Sequence, residues 1–148
     1  MELLSSGGQL QANKELLRRF VEAINKNNLD LFDELCSPNY VWHGEASPNK
    51  RNDVVGLTNF KKAVAEFTEA MPDLKVVIED IVAEGDRVAV RYTESGTHTG
   101  ASFCGMPPRG TRIVWTAVDI YRVEKGKLAE EWFAEDSLGV WKQLGIIK

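Results

Sequence analysis

Between Ile113 and Phe133 the chain reads IVWTAVDIYRVEKGKLAEEWF, and Asp119 sits there among Trp115, Val118, Ile120 and Tyr121. The surrounding composition is that of a buried strand. An unpaired buried ion costs several kcal/mol even after relaxation, so this carboxyl must be paired, protonated or put to use. A carboxyl held among aromatic rings has a raised pKa and can exchange a proton near neutral pH. The competing reading is a structural carboxylate, paired with Arg91 or Arg112 or lying at a sheet edge. Apolar neighbours on both sides of the strand favour proton transfer, because fully buried Asp is rare.

The other polar candidates carry weaker signals. His43, in YVWHGE between Trp42 and Glu45, has the chemistry of a general base but equally that of a structural histidine. His98, in the glycine-flanked GTHTG, suits tying down a loop as well as meeting a ligand. Trp115, Tyr121 and Tyr92 are either walls of a pocket or plain core. Glu131 stands beside Glu130 in AEEW, close to a turn, where a charged pair is ordinarily solvated. Asp136 opens DSLGVW and fits the N-cap of a final helix.

Two histidines without cysteines or carboxylates at ligand spacing make a poor metal site, so no metal is expected. The chain lacks GxGxxG, a P-loop and GxSxG, which argues against nucleotide cofactors and a serine nucleophile. Chemistry here is expected to need no cofactor.

These residues need a scaffold, and 148 residues suffice for one domain. A net charge of −4 with scattered Lys and Arg gives no case for nucleic acid or an anionic membrane. Cys36 and Cys104 show no CxxC spacing and read as two reduced thiols, which suggests a cytoplasmic address. The N-terminus lacks the pattern of a signal peptide, and no apolar run reaches the length of a membrane span.

Residues 1–11 read as a loose leader and 12–148 as the domain. Leu16, Leu17, Phe20, Val21 and Ile24 form one helical stripe, and Leu29, Phe32 and Leu35 suggest a short second helix. YVWHGE reads as a short strand and SPNKRND as a polar loop. A third helix is predicted over 58–70, closed by Pro72. The period then changes. Leu74–Ala83 with Arg87–Glu94, and Arg112–Val123 with Leu128–Phe133, are predicted hairpins around EGD and EKGK. A last helix is expected to carry Leu138, Trp141 and Leu144. Helices followed by antiparallel strands predict an α+β fold with the helices on one face of a curved sheet.

Alternation along the strand from Arg112 puts Ile113, Trp115, Ala117, Asp119 and Tyr121 on one face, and Val114, Thr116, Val118 and Ile120 on the other. Both faces are apolar. The helices are expected to cover one, with its pocket-like Trp, Asp and Tyr, and a second subunit the other.

The helical N-terminal half, GTHTG, GMPP (Gly105 to Pro108), the RVEKGKLAEEW hairpin and the ending DSLGVWKQLG together resemble the SnoaL-like polyketide cyclases of the NTF2-like superfamily. The resemblance runs from about Asn13 to Gly145 and implies a cone of bent sheet and helices around a hydrophobic cavity. It also implies a small apolar substrate. In the aldol cyclases of that family the acid/base Asp lies on the final strand, where this chain has Phe133, and a cavity His falls where it has Asp119. Phe133 cannot exchange protons, so the aldol cyclase mechanism does not carry over, and the working carboxyl is expected instead on the neighbouring strand, at Asp119. Glu131, two residues before Phe133, is expected to share its face and to pair with Asp119. Trp115, Tyr121, Phe133, Tyr92, Trp42 and His98 become the expected ligand-contacting set. Expected reactions are cyclisation, isomerisation or epoxide opening, and the alternatives are a ligand binder without catalysis or a protein-association scaffold.

Overall fold

The computed structural model describes residues 5–44 and 52–148. Most of the expected SPNKRND loop and residues 1–4 of the expected leader lie outside them. Helix α1 spans Ser6–Asn25, with Ser5 accepting from the Gly8 N–H at its start. It therefore begins about seven residues earlier than the apolar stripe alone implies. A side-chain cap at Ser5, rather than periodicity, sets that boundary, and residues 6–11 form its first turns.

A 3₁₀ turn (Leu29–Leu31) and the short α2 (Phe32–Leu35) lead directly into β1, Cys36–His43. Strand β2 (Val54–Val55) and helix α3 (Leu57–Ala70) follow. The second half is β3 (Lys75–Glu84), β4 (Arg87–His98), β5 (Thr111–Glu124), β6 (Lys127–Glu135) and α4 (Ser137–Leu144). Both predicted hairpins are present. In the second, Lys125 and Gly126 take φ of 50° and 74°, the positive values that a two-residue hairpin turn matching strand twist requires.

Among the described residues, six strands form one curved, unclosed mixed sheet in the order β2-β1-β6-β5-β4-β3. Strands β3 to β6 pair antiparallel, as expected, but β1 runs parallel to β6. Bulges between Ile78 and Asp80 and between Arg122 and Val123 interrupt the ladders, and such an extra residue bends a strand and adds twist.

Helices cover one face of the sheet. Leu17, Phe20 and Val21 from α1, Phe32 and Leu35 from α2, and Leu57 and Phe60 from α3 bury against Val88, Val90, Tyr121 and Leu128. Each such side chain is worth about 1.5–3 kcal/mol. Asn25 fixes the end of α1 to β3 twice, accepting from Val76 N at 2.7 Å and donating to Val76 O at 2.8 Å. A second cluster joins Met71, Leu74, Ile113 and Trp115 to Val140 and Leu144 of α4. Of the residues expected to dock that helix, Leu144 does so, while Leu138 and Trp141 are exposed. Asp136 Oδ1 accepts from Gly139 N at 2.9 Å, the expected N-cap.

The glycines of GTHTG are packing devices. Gly100 passes so close to α3 that a Cβ there would lie 1.7 Å from Glu69 O, and its N–H donates to Ala70 O at 3.1 Å.

Candidate active site

Strand register decides which side chains meet. On the helix-covered face, Tyr121 lies between Val88 and Glu131, Asp119 between Val90 and Phe133, and Ala117 between Tyr92 and Glu135. Glu94 pairs with Trp115 one step further along. Asp119 and Glu131 are thus diagonal neighbours on adjacent strands, 4% and 5% exposed.

Three tyrosines close around them. The Tyr121 hydroxyl lies 3.2 Å from Asp119 Oδ2 and 3.2 Å from Glu131 Oε1. Tyr40, brought alongside by the parallel β1, donates to Glu131 Oε2. The Tyr92 and Tyr121 hydroxyls are 3.0 Å apart. Phe60 packs on Tyr40 at 4.6 Å and Phe20 on Tyr121 at 5.9 Å between ring centroids, which holds both phenols in place.

Proton counting assigns the charge. Asp119 Oδ1 is buried and meets no donor among the described residues. That oxygen is satisfied if it carries a proton, with Glu131, with which Asp119 is hydrogen-bonded, as the acceptor. Burial first, then the Glu131 charge, push the Asp119 carboxyl far above the carboxylate range. Burial raises Glu131 too, but bonds from Asp119, Tyr40 and Tyr121 oppose the rise. The pair therefore holds a shared proton at neutral pH, lodged toward Asp119. All three tyrosines are raised well above their usual value, burial leading, and stay neutral donors.

Other expected residues are distributed more widely. Phe133 faces Asp119 directly and packs on Trp42 at 5.2 Å, both half-buried. Tyr92 and Tyr121 are polar members of the network rather than apolar walls. His98 is buried and its Nε2 lies 2.7 Å from Ala101 O, holding the loop after β4. The structure does not bring His43 to the carboxyl pair. Parallel register sets Trp42 beside Glu131 and His43 beside Trp132, so His43 projects from the opposite face. There its Nε2 meets Glu130 Oε2 at 2.6 Å and its ring stacks on Trp132. Glu130 in turn accepts from Arg122 Nε at 2.9 Å. The alternative ion pair for Asp119 is not formed either: Arg91 binds Asp80 at 2.7 Å, and Arg112 acts on Asp73.

One residue escaped the sequence reading. Glu94 is half-buried on the same face, and burial first, then Glu135, push it up to about 7. The available signal was parity: Glu94 is two residues from Tyr92, within one strand. Asp119 and Glu131 themselves are enclosed. Two surface hollows, of about 160 and 560 Å³, lie by Arg19 and Leu31 and by Asn27 and Pro72.

Comparison with known proteins agrees with this architecture. The sequence profile described as SnoaL-like polyketide cyclase matches residues 14–144. No protein of curated function matches. Among solved structures, TsrD from Streptomyces laurentii is 27% identical with a TM-score of 0.80, covering 99% of this chain and 100% of its own. AclR from Streptomyces galilaeus, a candidate hydroxylase, is 30% identical with a TM-score of 0.79, covering 93% of this chain and 83% of its own. IdmH from Streptomyces antibioticus, a candidate polyketide cyclase, is 28% identical with a TM-score of 0.75, covering 90% of this chain and 98% of its own. With an NTF2-like cone and a profile match over nearly its whole length, the chain belongs to the SnoaL-like polyketide cyclase family.

Proposed function

We propose that this protein carries out cofactor-independent acid/base chemistry on a hydrophobic small molecule, such as a polyketide or terpenoid-type intermediate. Cyclisation, isomerisation and epoxide opening all fit, since each needs one group to give a proton while another takes one. The observation that carries the reading is the buried pairing of the Asp119 and Glu131 carboxyls beneath three tyrosine hydroxyls. Asp119 is the acid that gives its proton to the substrate, Glu131 the base that takes a proton from it, and Tyr121 the hydroxyl that links the two carboxyls. Trp115, Trp42 and Phe133 supply apolar walls. A structural pair of carboxyls would be expected to keep an arginine beside it, and among the described residues no arginine or lysine is one of the main groups acting on either.

A second reading, ligand binding without turnover, has its own support: the pair is enclosed, and Phe133 occupies the position facing Asp119. Native mass spectrometry of the purified protein against extract of its own source separates the two. A retained ligand converted by wild type but not by Asp119→Asn supports catalysis. A ligand released unchanged by both supports binding alone.

Val114, Val118 and Ile120 on the uncovered face are all more than 40% exposed, which supports self-association into a homodimer through that face. Cys36 and Cys104 form no disulfide and no described helix is long and apolar enough to span a membrane, both compatible with a cytoplasmic setting.

A further inference from the structure

We propose that the Glu94 carboxyl and the Trp115 indole N–H form a subsite that holds an acceptor oxygen, a carbonyl, of an apolar ligand. This rests on the acid/base reading above and names where such a ligand is held.

Accessibility comes first. Asp119, Glu131, Tyr40, Tyr92 and Tyr121 are all at most 5% exposed, so a ligand meets the network at its edge. Glu94 is half-buried at that edge and lies directly across the ladder from Trp115.

The second observation is independent of charge. Trp115 is 4% exposed, and its Nε1 is buried with no well-formed hydrogen bond. Glu94 is near enough to feel that N–H, but the approach is too long or too skewed to satisfy it. A buried indole donor normally has a partner. Here the indole N–H faces the Glu94 carboxyl across the ladder without a well-formed bond to it.

Chemistry then selects the ligand group. From β6, Glu135 and more deeply Glu131 face Glu94; from β5, Asp119 and the indole do; from β3, its cross-strand neighbour is the apolar Val76. Among the described residues, no lysine or arginine is one of the main groups acting on Glu94. Its neutral form is therefore favoured, and a neutral carboxyl can donate. Two donors side by side, the O–H of Glu94 and the N–H of Trp115, select an oxygen that only accepts. Phe67 and Phe103, packed on each other at 5.2 Å, with Phe67 5.9 Å from the Trp115 ring, make the surroundings apolar.

The test uses 2-tetralone, an apolar ketone, with protein labelled with ¹⁵N at its four tryptophans. Trp115→Phe assigns the indole cross-peak. In wild type that cross-peak moves downfield and saturates as ketone is added. Apparent affinity falls about tenfold between pH 6 and pH 8, as Glu94 loses its proton. Glu94→Gln, a permanent donor of the same size, keeps affinity nearly constant over that range, and its melting curve confirms that it folds. A ketone that fails to bind, one that moves other indoles but not Trp115, or a Glu94→Gln variant with wild-type pH dependence overturns the subsite. Asp119→Asn assayed on the retained native ligand judges the acid/base reading separately. Lost turnover there with a failed ketone titration removes the subsite alone. Retained turnover with a successful titration removes the catalytic role of Asp119 and leaves the subsite.

Discussion

Asp119 and Phe133 face each other as direct cross-strand partners on β5 and β6. A carboxyl absent at the second position is thus present one strand away, on the same face. Asp119→Asn keeps the shape and hydrogen bonding of that side chain and removes its exchangeable proton. Turnover on the native ligand is expected to fall by about 10²–10⁴. Melting temperature stays level or rises, because a costly buried carboxyl is replaced without a cavity. A clear drop in stability with full activity in the folded fraction would defeat the catalytic role.

The pH dependence of stability has a definite sign. Asp119 and Glu131 are raised, burial leading in both, and Glu94 is pushed up to about 7 by burial and then by Glu135. In the folded state these groups hold protons that the unfolded chain has lost. Their stabilising contribution is therefore full below about pH 4 and is lost as pH climbs through the folded values. Urea unfolding is expected to give a lower free energy at pH 8 than at pH 5. Both Glu94→Gln and Asp119→Asn flatten that decline, and an unchanged slope in both would contradict the protonation assignment.

Tyr121 is the shared contact of the network, with Asp119, Glu131 and Tyr92 all within 3.2 Å of its hydroxyl. Tyr121→Phe leaves buried oxygens short of a partner and is expected to cost about 1–3 kcal/mol. Urea midpoints with an unchanged slope will read this directly.

The uncovered sheet face gives a prediction about assembly. Sedimentation at micromolar concentration is expected to show a dimer, and Val118→Asp, which sets a charge in the middle of the strip, to shift it toward monomer. A wild-type monomer would rule out that interface.

At Gly100 the constraint is steric. A Cβ would lie 1.7 Å from Glu69 O, which is backbone and cannot swing away. Gly100→Ala must break the Gly100–Ala70 and Ala101–Glu69 hydrogen bonds, and a fall in melting temperature of several degrees is expected.

Parity made β5 legible. Its inward positions are Ile113, Trp115, Ala117, Asp119 and Tyr121, and the register then carries Glu131 onto the same face. His43 shows the limit of that method. Tyr40 and Trp42 alternate with Val41 and His43, and either set is apolar enough to face inward; only the parallel pairing with β6 decides between them. Local alternation contains no information about a partner strand some 90 residues away. Glu94 was hidden for another reason. Its raised pKa comes from burial and from Glu135 and Glu131, which only the folded sheet brings near. The Tyr40 and Tyr92 hydroxyl contacts were likewise invisible, since composition marks a tyrosine as core without showing where its oxygen goes.

The parallel pairing of β1 with β6 also governs when the site can exist. Tyr40 and Glu131 are 91 residues apart in sequence, and the strand that bears Glu131 is the last to be synthesised. A nascent chain must hold β1 without its neighbour until β6 has left the ribosome. The loop closed by that pairing carries a high entropic cost before any contact offsets it. Folding of this domain should therefore be slow, with the β3–β4–β5 meander forming first and the carboxyl network appearing in the final step.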